Sequence, residues 1–192
     1  HSPTLNCEFG ENLEKIDLGY CKLKKPITIP HKVTELSTIM ENLIYLQIYH
    51  KLKKLKLHGY ILNCEDDDVD DCISRIKTIN CDIIESNATN LLSLHNNWNE
   101  NTNTIIVTKS YHGPIETYSN TTYYYQILPH HIKTIEFTDI MYRANHYKKI
   151  SFHIKKIIYN SERKNICEYF YYLDRDVEII QKSNRINYEP ES

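Results

Sequence analysis

Ten histidines, an acidic run and six cysteines are the side chains of this sequence most suited to chemistry. The run Glu65-Asp66-Asp67-Asp68-Val69-Asp70-Asp71 has the charge of a calcium loop. An EF-hand loop, however, needs glycine at its sixth place and glutamate at its twelfth. Counted from Asp66, those places hold Asp71 and Lys77, so the pattern fails. Acids at this point instead suit the first turn of a helix, whose dipole they complement. His130 and His131 are adjacent, and neighbouring residues face different sides of a helix. His50, His58, His146 and His153 have no carboxylate or thiolate three or four residues away. No metal and no cofactor is expected.

Covalent catalysis needs a nucleophile on a strained turn with a base beside it. The sequence has no G-x-S-x-G, no G-x-x-x-x-G-K-[ST] and no G-x-G-x-x-G. The chain is therefore read as a non-enzyme. Lys51-Leu52-Lys53-Lys54-Leu55-Lys56 is basic and is echoed by Lys155-Lys156. Leu/Lys alternation is explained by one solvated face of an amphipathic element, and the net charge is −2. A field of that size draws in no polyanion, so no nucleic-acid partner is expected. No apolar run approaches the ~18 residues that cross a bilayer, so no membrane partner is expected either.

The cysteines stand at Cys7, Cys21, Cys64, Cys72, Cys81 and Cys167. An even count at wide spacing suits a disulfide framework. A bridge between the first two would close the N-terminal arm. Another would tie Cys167 to a cysteine in 64–81. Two sequons, at Asn87 and Asn120, are candidates for glycosylation. With a start at His1 and no leader, these features read as a mature secreted protein.

The elements expected to position these residues are helices. Val33, Leu36, Met40, Leu43 and Leu46 recur in steps of three and four, which predicts an amphipathic helix over 34–57 stopped by Gly59. A second helix follows the acidic run, with Ile73, Ile76, Ile79 and Ile83 on one face. A third covers 88–98, another 133–159, and a last one carries Ile166, Phe170, Leu173, Val177 and Ile180. The expected fold is mainly α and disulfide-stapled. It comprises an arm (1–30), helical repeat 1 (31–98), a linker (99–118), helical repeat 2 (119–183) and a tail (184–192).

The division into two repeats rests on an internal echo. Pro30-His31-Lys32-Val33-Thr34-Glu35-Leu36 returns as Pro129-His130-His131-Ile132-Lys133-Thr134-Ile135-Glu136-Phe137, and Tyr49-His50-Lys51-Leu52-Lys53-Lys54-Leu55 as Phe152-His153-Ile154-Lys155-Lys156-Ile157. Two copies of this kind imply a duplicated unit. Tyrosines cluster as Tyr123, Tyr124, Tyr125 and as Tyr169, Tyr171, Tyr172. Adjacent rings cannot all enter one core, and surface tyrosines are low-entropy anchors for a protein partner.

Tyr60 lies between Cys21 and Cys64, with Cys72 following; Tyr159 and Cys167 occupy the matching places in the second copy. This arrangement resembles the bicycle family of gall-forming aphids, named for paired cysteine–tyrosine–cysteine motifs. The departure is that the second copy has a single cysteine. The resemblance implies a secreted salivary effector that binds a host protein in the plant. A viral or parasite immune modulator, or a cytokine-like binder, fits the same glycosylation and disulfides.

Overall fold

The computed structural model describes residues 9–59, 73–87, 91, 94–108, 128–138, 153–160 and 176–182. These residues build a parallel β-solenoid-like sheet, and the expectation of a mainly α fold is overturned. Ten strands follow one another: β1 (Lys15–Asp17), β2 (Ile27–Thr28), β3 (Glu35–Ile39), β4 (Leu46–Gln47) and β5 (Leu52–His58), then β6 (Cys81–Asn87), β7 (Thr104–Thr108), β8 (Thr134–Phe137), β9 (Lys156–Asn160) and β10 (Glu178–Lys182). Eight form one sheet in the order β1-β3-β5-β6-β7-β8-β9-β10, and every neighbouring pair is parallel. The remaining two strands, β2 and β4, pair parallel in a small second sheet.

The register shows how the sequence specifies this fold. Ile16, Leu36, Leu55, Ile84, Ile105, Ile135, Ile157 and Ile179 lie side by side across the eight strands. These positions recur at steps of 19 to 30 residues, the range in which each repeat is one turn of a solenoid. All but the last are buried. Three residues earlier in successive coils stand Val33, Leu52, Cys81, Thr102, Ile132 and Ile154; two residues later stand Leu18, Thr38, Leu57, Ser86, Val107, Phe137 and Tyr159. All of these are buried. The coils of β3 and β5 to β9 thus read apolar-x-x-apolar-x-apolar, with Cys, Thr or Ser at four of the places. No coil can bury its apolar edge alone; stacking the coils makes one continuous core.

The hydroxyls admitted to this core are all satisfied, as burial requires. Thr102 donates to the Cys81 carbonyl (2.8 Å), and Ser86 donates to the Leu57 carbonyl (3.1 Å). Thr38 Oγ1 accepts from Asn42 Nδ2 at 2.9 Å. Asn42, itself buried, also ties two coils together: its amide donates to the Cys21 carbonyl and its oxygen accepts from Leu23 N–H, both at 2.8 Å.

The helical reading fails for a definite reason. A step of three from Val33 to Leu36, or from Leu52 to Leu55, is shared by a helix and by this coil. The chain turns inward at the first residue and meets the core again on the strand. A short 3₁₀ turn, Met40–Ile44, then adds buried Met40 and Leu43, and the run reads as continuous helical periodicity. In place of helix 34–57 stand β3, β4 and β5. In place of helix 133–159 stand β8 and the start of β9. The helix expected to carry Ile73 to Ile83 has helical residues at 73–74 and then gives way to β6. Within 88–98, residue 91 is helical and His95–Asn97 forms a 3₁₀ turn. The described end of the last expected helix is β10.

The internal echo has a corresponding explanation. It links β3 with β8 and β5 with β9, each four strands apart in the sheet. Pro30 and Pro129 each open a turn closed by the N–H of Val33 or Ile132, at 3.0 Å in both. The unit is the single coil, not a helical half. The stretch 99–118, expected as a linker, supplies β7, which pairs with β6 and β8.

Candidate recognition face

Side chains alternate along a strand, so the residues between the buried columns point away from the core. One outward row runs Lys15, Glu35, Lys54, Ile83, Thr104, Thr134, Lys156, Glu178. The next runs Asp17, Ser37, Lys56, Glu85, Ile106, Glu136, Ile158, Ile180. Parallel strands lie roughly 4.8 Å apart, so each row is a ladder of close neighbours.

At one end the ladder is ionic. Lys15 pairs with Glu35 at 2.9 Å. Glu85, only 8% exposed, is held by Lys54 and by Lys56, the latter at 2.9 Å. Burial pushes the Glu85 carboxyl upward, but the two lysines bond to it and outweigh that push, leaving it below the ordinary glutamate range. Asp17 is also held low, first by the Gly19 N–H (2.8 Å) and then by the Ser37 hydroxyl, with His58 and Lys56 adding to the effect. Gly19 has φ +50, and the left-handed turn it makes aims that N–H back at Asp17.

Ser37 Oγ and His58 Nε2 are 2.6 Å apart. A catalytic triad would place its acid on the far ring nitrogen, where it orients the base. Here Asp17 is the register neighbour of Ser37 and takes its hydrogen bond from the Gly19 N–H, and among the described residues no acid is bonded to the other ring nitrogen of His58.

Beyond Glu85 the character changes. Ile83, Thr104, Ile106, Thr134, Ile158 and Ile180 are partly exposed and occupy the outward positions of β6 to β10. Across them, Lys182 reaches from β10 to Glu136 on β8 at 2.6 Å, and Lys156 pairs with Glu178 at 3.1 Å. The lysines of this face are matched by its acids within the same sheet. In the run 51–56, Lys51, Lys54 and Lys56 pair with acids of β6, Lys51 with Asp82 at 2.5 Å, while Lys53 has no ion pair among the described residues.

The expected site residues fare differently. Cys21 and Cys81 carry free thiols, so the expected bridges from these two are not formed. Cys81 fills a buried column position between Leu52 and Thr102, and desolvation pushes its thiol up to about 12. Asn87 is buried, and its Nδ2 donates to the Gly59 carbonyl at 2.6 Å, which commits the nitrogen a glycan would need. Cys7, Cys64, Cys72, Cys167, Asn120, Tyr60, Tyr123, Tyr124, Tyr125, Tyr169, Tyr171 and Tyr172 lie outside the described residues. Tyr159, matched above to Tyr60, is fully buried in the core. Among the described residues no group of three His, Cys, Asp or Glu side chains is placed to hold a metal ion. No described helix is long and apolar enough to cross a membrane.

Sequence reasoning missed the outward rows. Their signal was the middle x of each apolar-x-apolar pair: Asp17, Ser37, Lys56, Glu85, Ile106, Glu136 and Ile158. A comparison with protein-family models, with curated proteins and with solved structures finds no match for the chain.

Proposed function

We propose that this protein is a non-enzymatic binding module that recognises another protein with the outward face of its parallel sheet. The observation that carries this reading is the in-register outward ladder, ionic over β1 to β6, Ile/Thr over β6 to β8, and crossed again by ion pairs over β8 to β10. Stacked repeats offer extended surfaces suited to grasping a partner. The ladder lysines Lys15, Lys54, Lys56, Lys156 and Lys182 are each paired with an acid of the sheet, and the Ile/Thr strip supplies the apolar centre typical of protein interfaces. The partner proposed is a host protein met by a secreted effector. Secretion is part of this proposal and is supported by the sequence resemblance.

The test compares the full chain with the double variant Ile106→Asp, Ile158→Asp in capture from plant and from animal extracellular fluid. Loss of a captured protein by the variant, with circular dichroism unchanged, supports the reading. Equal capture by both chains overturns the assignment of this face.

A further inference from the structure

Histidines gather on the side of the sheet where the strands begin. His130 and His153 sit on the turns leading into β8 and β9, and their rings meet at a tilt of 53° with centroids 4.8 Å apart. His153 is 7% exposed. His131 is partly buried, and its Nε2 is enclosed without a hydrogen-bond partner. Lys133 is fixed beside them, donating to the His130 carbonyl at 2.6 Å. A similar contact recurs in an earlier pair of coils, where the His31 and His50 rings meet at 5.6 Å, tilted by 57°.

We propose that the His130–His131–His153 cluster makes the seam between the β8 and β9 coils an acid-sensitive joint, closed at neutral pH and loosened in mild acid. Protonation would place two or three cations around the buried His153 ring and the enclosed Nε2 of His131, next to Lys133. Among the described residues the groups facing the cluster are few. His153 meets His130, His131, Lys133 and the backbone carbonyl of Pro129; His131 meets Lys133 and, from the segment leading to β7, Glu100. Glu100 is the one acid in that set, and it is exposed.

The direction of both titrations agrees with the geometry. Desolvation holds His131 and His153 below the ordinary histidine value of 6.5, and for His153 the neighbouring cations lower it further. The unfolded chain then binds more protons than the folded one below about pH 6.5. Stability is full above that pH and falls as pH drops toward the folded values. Stacked coils are coupled mainly to their neighbours, so the loss begins locally at this seam. It would take Glu136 and Ile158 of the outward face out of register.

The experiment is urea unfolding of the full chain from pH 7.5 to 5, with His131→Gln, His153→Gln and the double variant. The wild type should lose stability progressively below about pH 6.5. In the double variant the proton uptake on unfolding near pH 6 should fall by up to about one. An unchanged pH slope in folded variants overturns the proposal. Should His153→Gln not fold, the wild type decides: NMR titration of its histidine Cε1–H signals must show His131 and His153 titrating below free histidine. Titration at or above the free value refutes the joint.

Discussion

Strands β3 to β6 and strands β7 to β10 follow one repeat, yet they use its outward positions in opposite ways. In the first group, Lys54, Lys56 and Glu85 close a compact ionic network over the sheet. In the second, Ile106, Ile158 and Ile180 take the equivalent row, and Lys182 has to span β9 to meet Glu136. The inward columns barely differ, because they answer to one packing problem. The outward rows differ because nothing in the stacking constrains them. A solenoid therefore separates what holds it together from what it presents.

The largest test of that separation is in the core. Leu55→Ala, in the fully buried middle column, should cost about 3 kcal/mol. Ile179→Ala, at the same register position but 38% exposed, should cost less than about 1 kcal/mol. Equal losses in chemical denaturation would mean that β10 is packed as deeply as β5.

The next effect is electrostatic. Glu85→Gln should cost about 1.5 kcal/mol at neutral pH, because it leaves Lys54 and Lys56 without their shared acid. Glu85 titrates below its ordinary value when folded, so its contribution is present above the unfolded value and lost as pH falls through the folded one. The variant should lack that acid-dependent part. Glu136→Gln should cost about 0.5 kcal/mol or less, since its Lys182 partner is half exposed to solvent.

Asn87→Ala removes the donor that Gly59 O receives from the neighbouring coil, and should cost about 1 kcal/mol in the same assay. Smaller still, Ile106→Lys on the outward face should shift stability by no more than about 0.5 kcal/mol. A much larger loss would make that row part of the core.

The last difference involves no stability at all. Under native conditions a thiol-alkylating reagent should spare Cys81, buried and with its thiol pushed up to about 12, and should modify the partly exposed Cys21 faster. Peptide mass measurement reads the order directly.

By itself the sequence determined which residues are buried in several coils. Val33, Leu36, Met40 and Leu43, read as one apolar face, are all in the core. It also showed that the chain repeats, and the Pro-His turns at Pro30 and Pro129 are real equivalents. What the sequence did not determine was the conformation between those residues. A step of three followed by a step of two is compatible with a helix when it is read across a turn such as Met40–Ile44. A helix satisfies its hydrogen bonds within the segment, so it can be proposed from a local window. A parallel strand takes its partners 19 to 30 residues away, and only the stacked coils supply them. The same distance hid the face, since Glu85 meets Lys54 and Lys56, and Ser37 meets His58, only once their coils lie side by side.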